Sequence, residues 1–292
     1  MTSLNPPLAI DADDIRFAYP QGIEAIGGLS FCAHAGELIA VMGSNGSGKT
    51  TLLKVLMRLL VPQRGTVRLA GLDIRGLRPA ELYRQVGMVF QNPADQLFAA
   101  TVEQDVAFGP RNQGLTEAEV AARVEESLAA VDALELGPRG VHQLSYGQQK
   151  RICLAGVLAM RPQILLLDEP TGGLDPVSEM HMIELLLRLN REQRITIVLS
   201  THAVDLLPVL ANRLYVLRRG RVWQEGPPAE VLADAHAAAE AGLRIPLITQ
   251  LFDDLRRDHG LAADPLPLTN DDARRQILQW LSAAARSPGG SP

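Results

Sequence analysis

Residues Gly43-Ser44-Asn45-Gly46-Ser47-Gly48-Lys49-Thr50 satisfy the pattern G-x-x-x-x-G-K-[ST] at every specified position, and few folds are open to a chain that carries it. Leu38 to Met42 just before it is an apolar run of strand length, and Thr51 to Met57 just after it has helical character. Strand, loop and helix are the context in which this pattern holds phosphate. The glycines let the backbone curl until its N–H groups surround phosphate oxygens, and the start of the helix adds positive dipole at the same spot. Gly43, Ser44, Asn45, Gly46, Ser47 and Gly48 are therefore predicted to form the cradle. Lys49 reaches the β- and γ-phosphates, Thr50 puts its hydroxyl on Mg²⁺, and Thr51 joins the nucleotide-binding set. The bland reading is a glycine-rich turn between a strand and a helix.

The 292-residue chain as a whole sets limits on this. A hydrophobic content of 47% is ample for a packed core, enough for one large domain with an appendage or two modest domains. A net charge of −5 argues against a nucleic-acid surface as the main business, because such surfaces need concentrated positive charge. Cys32 and Cys153 are far apart and lack metal-ligand spacing, so both read as buried small hydrophobes in a reducing compartment rather than as a disulfide. No apolar run approaches the ~18 residues of a membrane span, and Met1 to Pro7 lacks the features of a signal peptide. The expectation is a cytoplasmic protein that reaches a membrane only by docking on another protein.

Leu8 to Phe17 alternates like a half-buried strand and runs into the turn Ala18 to Gly22. Tyr19 in that turn has two readings: a strand-end aromatic packed on the core, or a π-face on which an adenine ring stacks. Leu29 to Phe31 is strand-like before the turn Ala35 to Glu37. Past the first helix, Thr66 to Leu69 reads as a short strand between the turns Pro62 to Gly65 and Ala70 to Asp73. Pro79 to Gln85 reads as a short helix and Val86 to Phe90 as a strand delivering Gln91, with Asn92-Pro93 turning behind it. Thr116 and Glu119 have capping-box spacing, which predicts a helix to about Val131 closed by Gly137-Pro138. Ser145 and Gln148 repeat that spacing ahead of a helix to about Met160. Its N-terminus, with Gly147 on it, is either an ordinary cap or a set of free N–H groups for a phosphate.

Ile164 to Leu167 is the continuous apolar run of a buried parallel strand and ends abruptly in Asp168-Glu169-Pro170. A helix cap or a surface turn would account for two carboxylates there. In a doubly wound sheet, however, this strand end neighbours the phosphate loop, which makes Asp168 a metal-side carboxylate and Glu169 the candidate base. Asp175 and Pro176 start a helix to about Arg191. Ile195 to Leu199 is the next buried strand, ending in Ser200-Thr201-His202; a terminal histidine is most often structural, but beside phosphate an imidazole can donate to a phosphoryl oxygen. Arg213 to Arg218 and Arg221 to Glu225 pair as a hairpin, and Pro227-Pro228 opens a short helix. From about Ala235 the sequence turns Ala-rich, then offers two amphipathic helices, Pro246 to Asp258 and Asp271 to Ala285, before the disordered-looking Ser287 to Pro292.

In this order the motifs resemble the nucleotide-binding subunit of an ATP-binding-cassette (ABC) transporter, over roughly residues 8 to 230. The phosphate loop, Gln91, Leu144-Ser145-Tyr146-Gly147-Gln148, Ile164 to Glu169 and His202 are similar to the family's Walker A, Q-loop, signature, Walker B and switch-histidine elements. Gly173-Leu174-Asp175 falls where its D-loop stands. The resemblance implies an α/β P-loop core with an antiparallel β subdomain, a helical signature subdomain and, here, a helical C-terminal appendage. Residues 8–234 would form the ATPase domain, with the signature subdomain at about 92–161, and 235–292 the extension with its disordered tail. It also implies ATP and Mg²⁺ as ligands, Tyr19 as the adenine platform, and Gln91 as a sensor of a metal held by Thr50 and Asp168. Lys49, Glu169 and His202 would act on the phosphates and the attacking water. One departure stands out: Tyr146 replaces the first glycine of the usual Leu-Ser-Gly-Gly-Gln.

Gln91 to Phe98, Thr101 to Pro110 and Ala155 to Met160 look, more narrowly, like the ATPases of energy-coupling-factor importers, above all those for cobalt or nickel. That resemblance implies a homodimer of ATPases in which Ser145, Gly147 and Gln148 meet the partner's nucleotide. It also implies a membrane scaffold protein, a separate substrate-capturing membrane protein, and a peripheral place on the cytoplasmic face of the cell membrane. Asn92 to Phe98, with Leu97 and Phe98 too apolar for an idle loop, is the expected docking surface. A vitamin importer is the runner-up. Chromosome, DNA-repair and ribosome-acting relatives fit less well, since one acidic cassette is present and no long coiled coil separates Lys49 from Ser145. Glu169 and His202 together oppose a catalytically silent subunit.

Overall fold

Leu38 to Met42 has every residue buried, as a strand covered on both faces must, and the rest of the fold is laid out beside it. In the computed structural model, which describes residues 7–232, 244–261, 263 and 265–286, two long strands come first: β1 (Leu8–Ala18) and β2 (Glu24–His34). β3 (Leu38–Met42) feeds the glycine-rich loop and α1 (Lys49–Leu56). β4 (Arg64–Leu69), β5 (Leu72–Asp73), α2 (Pro79–Gln85) and β6 (Val86–Val89) follow. Three helices, α3 (Val102–Asn112), α4 (Glu117–Ala130) and α5 (Tyr146–Leu158), precede β7 (Ile164–Asp168). Next come α6 (Pro176–Gln193), β8 (Thr196–Ser200), α7 (Leu207–Leu210), β9 (Arg213–Arg218), β10 (Arg221–Gly226) and α8 (Pro228–Val231). Helices α9 (Leu247–His259) and α10 (Asn270–Arg286) are amphipathic and pack around Phe252, Ala263, Leu266 and Ala273.

The strands form two sheets. One has the order β10-β9-β3-β8-β7-β6, parallel except for the edge pair β9 and β10; the other is antiparallel in the order β2-β1-β4-β5. β7 and β8, like β3, are buried at all five positions, and each large apolar side chain so placed stabilises the fold by about 1.5–3 kcal/mol. Helix starts obey the capping chemistry: Thr116 and Ser145 each accept from the N–H three residues on, while Glu119 and Gln148 reach back to the caps. Asp175 caps α6 by accepting from the N–H groups of Val177 and Ser178.

Several expectations needed correction. β2 runs from Glu24, well before Leu29, because its first half pairs with Arg16 to Ala18 across a bulged register that blurs the alternation. Thr101 to Pro110 carries a full helix that had no assignment; Val102, Val106 and Pro110 line one buried face at four-residue spacing, with Gly109-Pro110 disguising its end. Leu72 and Asp73 pair with β4 rather than only turning. The strand end at Asp168 does neighbour the phosphate loop, as expected, with Thr50 donating to it, although β8 lies between the two strands. Cys153 is buried and burial pushes its thiol up to about 12, but Cys32 is only half-buried; both are free. Leu97 is half-buried against the main core, so only Phe98 of that pair is exposed. The Ala-rich stretch from 235 and the tail 287–292 lie outside the described residues.

The two sheets are strapped together by β9. Arg213 donates to Glu37 through Nε at 2.8 Å and Nη2 at 3.0 Å, and Nη2 also donates to the Cys32 carbonyl of β2 at 2.8 Å. Tyr215 on the same strand donates to that carbonyl at 3.3 Å and accepts from the Cys32 N–H. Arg213→Met is expected to take from Glu37 its cationic partner and from the Cys32 carbonyl one of its two donors, and to destabilise the fold by about 2 kcal/mol, the pair being only partly desolvated. Urea unfolding checks this, and an unchanged midpoint would refute the strap.

Candidate active site

The register of the parallel sheet brings four strand ends level. Val41 of β3 pairs with Ser200 of β8, Ser200 with Asp168 of β7, and Leu167 with Val89 of β6. The next residues of each strand, Gly43 onward, Thr201-His202, Glu169 and Phe90-Gln91, therefore emerge at one edge, the carboxyl end of the sheet where such folds place their ligands.

The glycine-rich loop has no room for side chains at two of its glycines. Gly48, the N-cap of α1, sits at φ 106°, and a Cβ there would lie 2.7 Å from the Ala25 carbonyl. Gly43 at φ 146° would place one 2.4 Å from the Leu217 carbonyl. Lys49, buried, donates to the carbonyls of Gly43 at 2.8 Å and Ser44 at 3.3 Å, with His202 Nε2 3.3 Å away. Burial holds its ammonium below the usual lysine range, and the carboxylates of Glu169 and Asp168 pull the other way. Ser47 Oγ is buried in the cradle without a hydrogen-bond partner.

Behind the loop, Thr50 donates to Asp168 Oδ1 at 3.1 Å, and Ser200 Oγ donates to the same oxygen at 2.6 Å. Two neighbouring ligands of octahedral Mg²⁺ stand about 2.9 Å apart, so Thr50 and Asp168 suit that ion, and the all-oxygen pair matches its chemistry. Among the described residues no cluster of three or more His, Cys, Asp or Glu forms an alternative metal centre. The Glu169 N–H donates to Ser200 Oγ at 3.0 Å. Its Oε1 lies 3.2 Å from His202 Nε2 yet receives no aligned hydrogen bond, leaving a buried acceptor aimed at the reaction space.

A cleft of about 740 Å³ collects these groups: Tyr19, Asn45, Gly46, Ser47, Gly48, Lys49, Thr50, Thr51, Gln91, Glu169 and His202 all line it. Tyr19 is fixed there by a hydrogen bond between its hydroxyl and Thr51 Oγ1 at 3.2 Å and by Phe17, whose ring meets it edge-on at 5.0 Å. Ser145, Gly147 and Gln148 are not part of the cleft. They line a separate cavity of about 160 Å³ with Arg151, Ser178 and His181. Gln148 spends its side-chain oxygen on the Ser145 N–H at 3.0 Å. Tyr146 turns the other way, into the cleft, where its hydroxyl donates to the Gln91 carbonyl at 3.4 Å. Sequence reasoning missed Ser200, which touches both carboxylate residues; its place as the last residue of β8, level with Asp168, was the available signal.

Comparison with known proteins fits this arrangement. Residues 26–172 match the family model described as ABC transporter. A Geobacter sulfurreducens relative named for an ABC transporter ATP-binding role is 51% identical over 91% of this chain and 95% of its own length. The energy-coupling factor transporter ATP-binding protein EcfA of Methanococcus maripaludis is 43% identical (93% and 98%), and the cobalt import ATP-binding protein CbiO of Rhodobacter capsulatus 45% (95% and 99%). Among solved structures, cbiO1 of Clostridium perfringens, part of the cbiONQ transporter complex, superposes with a TM-score of 0.73 at 36% identity, covering 85% of this chain and 99% of that one. The dimeric ABC transporter cassette MJ0796 gives 0.68 at 28% (75% and 98%). With the phosphate loop, the paired carboxylates and the histidine at one sheet edge, the chain belongs to the ABC transporter family and is an ATPase of the cassette type.

Proposed function

We propose that this chain is the ATP-hydrolysing subunit that powers substrate import by an energy-coupling-factor ABC transporter whose cargo is cobalt or nickel ions. The observation that carries the reading is near-full-length similarity to proteins named CbiO and EcfA, joined to a cleft lined by Lys49, Thr50, Gln91, Glu169 and His202. A vitamin importer is the second reading, by family analogy, and the name of the EcfA relatives specifies no cargo. Uptake of labelled cobalt or nickel by cells carrying the whole transporter, with and without this chain, tests the cargo.

The chemistry is phosphoryl transfer to water, in which positioning and electrostatics do most of the work. Lys49 and the loop amides of Gly43 to Gly48 neutralise the phosphates, and Tyr19 stacks the adenine. Mg²⁺, when bound by Thr50 and Asp168 directly or through water, supplies charge neutralisation between phosphates, with Gln91 sensing it. Glu169 orients and deprotonates the attacking water, and His202 donates to the γ-phosphate.

Residues 8–234 form the ATPase domain in this reading, with the signature subdomain at about 92–161 and 235–292 as the extension. The separate apolar cluster around Phe252 supports that last division. The signature residues act on the nucleotide of a second, identical subunit. The support is that Ser145, Gly147 and Gln148 line a different cavity from Lys49, and that a related cassette is dimeric. No helix among the described residues is long and apolar enough to cross a membrane. Contact with the membrane then runs through the scaffold and substrate-capturing proteins, at the cytoplasmic face. Phe98, 64% exposed, and Phe108, 50% exposed, stack edge-on at 4.8 Å and give the scaffold an apolar foothold. Asp105 shapes it by accepting from the N–H groups of Phe98 and Ala99, each at 2.9 Å.

Glu169→Gln keeps the shape of the side chain and is expected to retain ATP binding while lowering hydrolysis on the order of a hundredfold or more. Near-normal phosphate release at saturating Mg-ATP would remove Glu169 from the mechanism. Phe98→Ser with Phe108→Ser is expected to abolish coupled uptake while sparing nucleotide affinity, and normal uptake in vesicles would refute the docking assignment. A mixed dimer of Lys49→Ala and Ser145→Arg subunits is expected to regain one intact composite site, read as ATP-dependent inter-subunit crosslinking with about one tightly held nucleotide per dimer. A correctly mixed dimer as inert as both parents would count against the shared site.

A further inference from the structure

Lys150 is an unusual residue to find at the centre of this fold. It lies on the buried face of α5 with only 2% of its surface exposed, surrounded on its helix by Ile152, Cys153 and Leu154. An ammonium in such a place is costly unless it is paired, and an apolar side chain of similar length would fill the space at lower cost. Its Nζ donates to a single backbone atom of high consequence, the carbonyl oxygen of Glu169, at 2.6 Å.

Glu169 itself is held in a conformation that residues other than glycine seldom adopt, with φ at 50° directly after the extended residues of β7. Such a backbone persists only where the surroundings fix it. They do so from both sides here. The Glu169 N–H donates to Ser200 Oγ at 3.0 Å and to the Ser200 carbonyl at 3.2 Å. The Glu169 carbonyl accepts from Gly172 N–H at 3.1 Å and from Lys150. The side chain leaves from between these anchors, and its Oε1 ends 3.2 Å from His202.

We propose that Lys150 is a positioning residue that locks the left-handed backbone of Glu169 and thereby aims its carboxylate at the attacking water. The proposal rests on Glu169 being the base, as argued above. It also ties two parts of the molecule together. Lys150 is one helical turn from Tyr146, with its ammonium 5.5 Å from that ring, and the same helix starts at the Ser145 cap. A shift of the signature helix therefore moves a donor on the backbone of the base in the same chain. In a dimer with shared sites, engagement of Ser145 at one nucleotide bears on the base that serves the other.

The test uses the full-length protein, with Lys150→Met alone, Glu169→Gln alone, and both together. Lys150→Met is expected to keep the melting temperature and the affinity for a fluorescent ATP analogue. Its kcat should fall on the order of ten- to a hundredfold with KM little changed, the scale expected when a reacting group is misplaced. Added to Glu169→Gln, the same change should alter the residual rate by no more than about twofold, because two residues acting as one unit are not additive. Equal fold-losses in both backgrounds, or loss of nucleotide binding, would show a structural role only and overturn the proposal. So would a kcat within twofold of the unaltered protein. If Lys150→Met does not fold, Lys150→Gln is read by the same criteria. Near-normal turnover by Glu169→Gln would overturn the base and this proposal together. A Glu169→Gln variant that is inactive beside a fully active Lys150→Met would overturn this proposal alone.

Discussion

The hydroxyl of Ser200 donates to Asp168 and accepts from the N–H of Glu169, and the geometry of the cleft depends on that double contact. It works because β8 lies between the loop-bearing strand and the carboxylate-bearing strand, with Ser200 in register with both Val41 and Asp168. A hydroxyl is the smallest group that can do both jobs in a dry sheet edge: as a donor it leaves a carboxylate charged, and as an acceptor it pins the peptide that follows. Asp168 is thereby kept facing Thr50, and the chain turns sharply enough to present Glu169 beside His202.

Charge in the cleft is balanced by proximity. Lys49 is surrounded by loop carbonyls and faces two carboxylates that restore only part of what burial takes away. His202 Nε2 lies between the Lys49 ammonium and the Glu169 carboxylate, at 3.3 and 3.2 Å. Such a triad responds strongly when a polyanion and a divalent cation are added, because each new charge acts at short range in a partly desolvated space.

Much of this was legible in the sequence where local chemistry decides the outcome. The phosphate loop, the caps at Thr116, Ser145 and Asp175, and the apolar runs of β3, β7 and β8 all follow from residue type and spacing, and the structure has them where they were placed. What was not legible depends on pairing partners distant in the chain. The strand order that inserts β8, the bulged pairing that lengthens β2, and the contact of Lys150 with Glu169 are set by tertiary packing. The inward turn of Leu97 belongs to the same class. A lone leucine next to an exposed phenylalanine gives no sign of which one the core will claim. Ser145, Gly147 and Gln148 are read as site residues through a second subunit, which lies beyond what a single fold displays.

The strap at Arg213 has a consequence for selectivity. Because β9 bonds both to its neighbours in the parallel sheet and to Cys32 in the antiparallel one, the two sheets form one body. Tyr19 on the antiparallel side and Lys49 on the parallel side therefore stand a fixed distance apart, with Tyr19 further anchored through Thr51 to the helix that follows the loop. On the proposed reading this makes the cleft a ruler. It measures the span from a planar base to the terminal phosphate, and a ring face is indifferent to the groups that decorate the edge of the base stacked on it. Discrimination would then fall on how many phosphates a nucleotide carries far more than on which base it bears.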